Sequence, residues 1–81
     1  FDFSIYPNPT SEIVNIKAFE KGNYEMKLYN HLGMAIASTE MNGLECSIDL
    51  KEVSSGVYQL LVFSNGILLK VSKVIILKGI Q

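Results

Sequence analysis

The sequence predicts an all-β fold, a two-layer antiparallel sandwich of about six or seven short strands in one domain spanning residues 1–81. Three observations point there. Apolar and polar residues alternate with period two in almost every segment, and no stretch of ten residues keeps a helical period. Asn-Gly, which supplies the two positive-φ residues of a tight hairpin turn, occurs twice. With 81 residues, 48% of them hydrophobic, the chain has room for one modest core and no second domain.

Along the chain, an apolar strand at residues 3–5 is stopped by Pro7-Asn8-Pro9, where two prolines fix φ and remove two backbone donors. Val14 and Ile16 flank Asn15, with Lys17 beyond, as in a half-buried strand, and Lys21-Gly22-Asn23 is read as the connection that follows. Tyr24, Met26 and Leu28 face inward between Glu25, Lys27 and Tyr29. Asn30-His31-Leu32-Gly33 forms a longer loop with glycine at the left-handed position. Asn42-Gly43 joins a strand at residues 35–39 to one in which Leu44, Cys46, Ile48 and Leu50 point inward and Glu45, Ser47 and Asp49 outward. Cys46 is then a small buried hydrophobe.

Residues 51–56 form the only linker long enough to change sheets. Gly56-Val57-Tyr58 is read as a structural corner, where glycine lets the chain turn and the tyrosine hydroxyl caps backbone groups. Asn65-Gly66 joins a strand at residues 57–63 to one that begins at Ile67. If Leu69 and Val71 point inward, parity sends Lys73 inward as well, so a β-bulge or bend near Ser72-Lys73 is expected to re-aim the strand. Its terminal half, Val74 to Leu77 before Lys78, is apolar on both faces, and at a sheet edge it would invite a partner strand.

Composition excludes several functions. Seven lysines and no arginine against eight acids give no basic footprint for nucleic acid and no polybasic segment for a lipid surface. No apolar run exceeds four residues, against roughly 20 for a membrane-spanning helix. A chain this short buries only roughly 60–65% of its unfolded surface, which leaves little for a deep cleft. His31 is the sole histidine and falls in a loop without an adjacent cysteine or acidic pair, so no catalytic role is assigned. Glu12, Glu20, Glu25, Glu40, Glu45, Asp49 and Glu52 are scattered over solvent faces without calcium-loop spacing, and one cysteine makes neither an internal disulfide nor a metal cluster. Tyr6, Tyr24, Tyr29 and Tyr58 lie on several strands and are read as packing rather than a ligand platform. The chain opens on Phe1-Asp2-Phe3 without an initiator methionine or signal segment, and is expected to be part of a longer protein.

Taken in order, these motifs resemble the type A C-terminal sorting domain of the type IX (Por) secretion system, found on cargo proteins of Bacteroidetes-type bacteria. An apolar-aromatic strand leads into Pro-Asn-Pro (Phe3-Ser4-Ile5-Tyr6-Pro7-Asn8-Pro9-Thr10), and an alternating strand follows (Glu12-Ile13-Val14-Asn15-Ile16). Leu28-Tyr29-Asn30-His31-Leu32-Gly33, Asp49-Leu50, Gly56-Val57-Tyr58 and the terminal Lys73-Val74-Ile75-Ile76-Leu77-Lys78 complete the pattern from end to end. In the family one or two residues usually follow the last strand, whereas Gly79-Ile80-Gln81 adds three.

The resemblance implies a fold and a role. Several members adopt an immunoglobulin-like β-sandwich, and members are addresses rather than enzymes. The cargo reaches the periplasm on a removable N-terminal signal, the domain is read by an outer-membrane receptor or shuttle, and the cargo crosses the outer membrane. A sortase-like cysteine peptidase then usually removes the domain, and the cargo is released or joined to anionic lipopolysaccharide at the cell surface. The resemblance implies no cofactor, metal, nucleic acid or small-molecule substrate. The receptor is expected to pair with or grip the terminal strand, Lys73, Val74, Ile75, Ile76 and Lys78, the two ammoniums setting register. Pro7, Asn8 and Pro9 would form a rigid lead-in, while Gly56 and Tyr58 would act chiefly through folding. The alternative is an accessory immunoglobulin- or fibronectin-like binding module of a secreted enzyme or adhesin.

Overall fold

A computed structural model describes residues 2–79; Phe1, Ile80 and Gln81, part of the two end motifs above, lie outside the described residues. The fold is all-β: β1 (Phe3–Tyr6), β2 (Ile13–Tyr29), β3 (Ala35–Asp49), β4 (Gly56–Ser64) and β5 (Ile67–Ile76), with no helix among the described residues. Every strand pairing is antiparallel, within one curled sheet in the order β1-β2-β4-β5, and β3 lies beside β2.

Strand β2 organises the sheet. Its first half pairs with β1 and its last turns with β4, while β3 runs along its length from Ile13↔Asp49 to Tyr29↔Ala35. Val14, Ile16, Ala18, Tyr24, Met26 and Leu28, all even-numbered, are buried, and they meet Ile48, Leu50, Leu60, Val62, Val74 and Ile76 in one core. Period-two burial thus carries the core through β2 without a change of face.

Five strands stand where six or seven short ones are expected, because two of the anticipated turns are bends inside long strands. Asn42-Gly43 is not a hairpin and Lys21-Gly22-Asn23 is not a connection; Gly22 lies opposite Gly43 and Asn23 opposite Asn42. A type I′ turn needs positive φ at both central residues. Asn65 (φ 52°) and Gly66 (φ 79°) meet that condition, and the hairpin expected there forms. Only Gly43 of the other pair has positive φ, at 125°. Between Lys17↔Glu45 and Gly22↔Gly43, β2 advances five residues and β3 two, so β2 bulges outward by three. An odd offset changes the parity of the partner. Strand β3 therefore turns Ala37 and Met41 toward the core before Gly43, and Cys46 and Ile48 after it. Leu44, expected inside, falls at the switch and is exposed.

The bulge in β5 comes earlier than expected. Val62 pairs with Lys70 and Phe63 with Leu68, so Leu69 is the extra residue, not Ser72 or Lys73. Leu69 packs against the core, whereas Val71, expected inside, is exposed. Val71 and Lys73 share a face, and keeping an ammonium in water outweighs burying one valine. Residues 51–55 carry the chain across the end of the sheet from β3 on one side of β2 to β4 on the other, with Val53 packed against the core. This connection crosses over within one hydrogen-bonded sheet.

Candidate functional site at the joined chain ends

Strand β1 ends at Tyr6, and the next four residues cross to the outer edge of β5. Pro7 and Pro9 have no N–H, so a regular strand ladder cannot run through them. The side chain of Asn8 takes over. Its Nδ2 donates to the Lys73 carbonyl at 2.8 Å, and its Oδ1 accepts from the Ile75 N–H at 2.9 Å. A carboxamide carries the donor and acceptor of a peptide group, and here it occupies the place a strand's peptide would take. The backbone resumes at Thr10, whose N–H donates to the Ile75 carbonyl (2.9 Å) and whose carbonyl accepts from Leu77 (2.8 Å). Thr10 forms a parallel bridge with Ile76, is buried, and donates its hydroxyl to the Ile13 carbonyl. Residues 8–10 are thus a strap that covers the β5 edge over residues 73–77.

Lys78 closes the same end. Its N–H donates to Ser55 Oγ at 2.9 Å, and its ammonium donates to the carbonyls of Ser11 (2.5 Å) and Leu50 (2.6 Å). Two segments far from it in sequence, at Ser11 and at residues 50–55, meet on this one residue. Lys73 points outward, exposed, and its ammonium has no hydrogen bond or ion pair among the described residues.

Gly56 lies opposite Ile76 and Tyr58 opposite Val74. The Tyr58 hydroxyl donates to the Ser54 carbonyl at 2.8 Å, which is the corner expected from Gly56-Val57-Tyr58. A second corner was not anticipated. Gly22-Asn23-Tyr24 has the same form: the Tyr24 hydroxyl donates to the Glu20 carbonyl at 2.8 Å, and its ring lies over Gly22, where a Cβ would come within 3.0 Å. The repeated Gly-x-Tyr spacing was the signal that could have found it.

All ten residues singled out from the sequence therefore gather at one end of the sheet. Their exposures divide them. Val74 and Ile76 are fully buried and Tyr58 nearly so, Gly56, Ile75 and Lys78 are half-buried, and Pro7, Asn8, Pro9 and Lys73 are exposed. Thr10, Ser11, Leu50 and Ser55, none of them singled out as site residues from the sequence, complete the closure through backbone or hydroxyl groups. Backbone acceptors carry no residue-type signal.

The site offers surface rather than reactive chemistry. His31 is exposed in its loop, and among the described residues no three His, Cys, Asp or Glu side chains converge. Cys46, expected to be buried, is half-buried against the core, and desolvation raises its thiol pKa above the ordinary value.

The sequence profile of a family described as "Secretion system C-terminal sorting domain" matches residues 4–78. The chain belongs to that family. The matched span begins inside β1 and ends on Lys78, so it takes in the strap, the terminal strand and the lysine that ties them. Comparison with curated proteins finds no match. Membership in this type IX sorting-domain family implies a C-terminal sorting signal and an interaction with secretion machinery on behalf of a cargo protein.

Proposed function

We propose that the chain directs the protein carrying it through the periplasm and across the outer membrane by the type IX route, to the cell surface or the medium. The observation that carries this reading is the family match over residues 4–78. A sortase-like cysteine peptidase removes the domain afterwards, and the cargo is released or joined to lipopolysaccharide. The domain is not an enzyme; it supplies an address. In this reading the curled sheet stands for the two layers of an immunoglobulin-like sandwich, with the long β2 and β3 passing from one layer to the other near Gly22 and Gly43.

In this reading the outer-membrane receptor or shuttle grips the exposed surface of the joined ends. Pro7, Asn8 and Pro9 present a rigid ridge beside the terminal strand, and Lys73 offers a free ammonium for register. Val74, Ile75 and Ile76 hold that strand in place from within, and Lys78 acts through the closure of the end rather than as an open charge. Gly56 and Tyr58 contribute by building the corner on which the strand rests.

The test compares an exported reporter fused to residues 1–81 with one whose fusion stops at residue 72. The first is expected outside the cell and the second retained. Equal export of both would remove the terminal strand from the recognition mechanism.

A further inference from the structure

The edge of β5 is covered over residues 73–77, but among the described residues β3 pairs only with β2, and its other edge is open along fifteen residues. Sheet edges are ordinarily blunted by lysine, proline or shortness, because unpaired N–H and C=O groups accept foreign strands. Strand β3 contains neither lysine nor proline. Its charges are Glu40, Glu45 and Asp49, all acidic and all exposed.

The first half of this edge carries two further features. Glu40 lies directly opposite Glu25 on β2. Like charges in that position destabilise a sheet. Lys27 approaches Glu25 at 3.9 Å, whereas Glu40 has no ion pair among the described residues. Ile36, the extra residue of a bulge between Leu28↔Ala37 and Tyr29↔Ala35, is exposed, as are Leu32 and Met34 of the preceding loop. An acid with a like-charged neighbour and no ion pair of its own therefore stands four residues from an exposed isoleucine, beside unpaired backbone.

We infer that the β3 edge over residues 35–41 accepts an extended strand of the export machinery that carries a lysine or arginine within a few residues of an apolar side chain. The cation meets Glu40 and its neighbour Glu25, and the apolar group covers Ile36. Backbone pairing supplies affinity, the alternate side chains supply selection, and the acidic edge speeds encounter with a basic strand. A second copy of this chain joined β3 to β3 brings no cation to Glu40, since β3 carries none. The inference rests on the sorting function proposed above.

The test uses whole-chain reporter fusions in a type IX-competent strain: unchanged, Glu40→Lys, Glu40→Gln, Ser38→Lys, and Glu52→Lys as a control in the loop after β3. Each domain is also purified for thermal unfolding and sedimentation. Glu40→Lys removes the Glu25 repulsion, so it is expected to melt at or above the unchanged chain while its export falls by about tenfold or more. Ser38→Lys blunts the edge and lowers export similarly. Glu40→Gln, nearly isosteric, folds as the unchanged chain and exports less, which keeps the test decisive if a lysine variant fails to fold. Glu52→Lys exports normally. Normal export of folded Glu40→Gln and of the folded lysine variants overturns the edge proposal and leaves the sorting function standing. Sedimentation as a dimer that Ser38→Lys dissolves also overturns it, in favour of a second copy. If the unchanged fusion stays in the cell, the sorting function fails and the edge proposal falls with it.

Discussion

Asn8 sits between two prolines, and its carboxamide reaches the β5 edge at Lys73 and Ile75 where a regular strand could not. Replacing it with alanine removes two exposed hydrogen bonds and is expected to cost at most about 1–2 kcal/mol. Urea unfolding measures the loss, and hydrogen exchange locates it: the Ile75 amide should exchange faster, while Leu77, held by the Thr10 carbonyl, keeps more of its protection. Unchanged Ile75 exchange would mean that Asn8 is not its partner. At Cys46, desolvation favours the neutral thiol. A pKa raised on folding contributes stability that is present at neutral pH and is lost as pH rises through the folded value. Alkylation by iodoacetamide near pH 8 is therefore expected to be slower in the folded chain than in urea, and equal rates would contradict burial of the thiol.

At the scale of strands, the two Asn-Gly pairs divide legible from illegible. Both look alike as dipeptides, yet only Asn65-Gly66 closes a hairpin, while Asn42-Gly43 lies within β3 opposite another glycine. The partner strand decides between them: Gly22 and the Tyr24 ring let β2 bulge and pass the bend, and no local rule applied to residues 42–43 contains that information. Asn65→Ala is expected to cost about 1 kcal/mol, because alanine tolerates left-handed φ poorly, and Asn42→Ala much less. Thermal unfolding of the pair checks this, and equal losses would restore the second hairpin. The β5 bulge was foreseeable from Lys73, which had to face water, but its place was not. A parity change can sit at any residue before the charge, and packing of Leu69 against the core selects the earliest.

Across the whole molecule, alternation alone located the core residues of β2, and motif order brought out the candidate site, because both are written in side chains. The closure of the ends is written mostly in backbone: Thr10 to Ile75 and Leu77, and Lys78 to the carbonyls of Ser11 and Leu50. Contacts between residues 28 to 67 positions apart leave no local signature. Lys78→Met keeps most of the side chain's length and removes its two carbonyl contacts, each worth about 1.5–3 kcal/mol at most for a charged donor and less at this partly exposed site. It should lower the melting temperature and loosen residues 73–77 together, and a local effect confined to Lys78 would show that the ends close without it. In the proposed function this folded unit is an address for one secretion route. The direct measurement places the full chain, behind an exported fluorescent reporter, in a type IX-competent strain and in one lacking the translocon. Reporter outside the first strain and confined to the periplasm of the second is the predicted result. Reporter confined to the periplasm of both, or outside both, would contradict it.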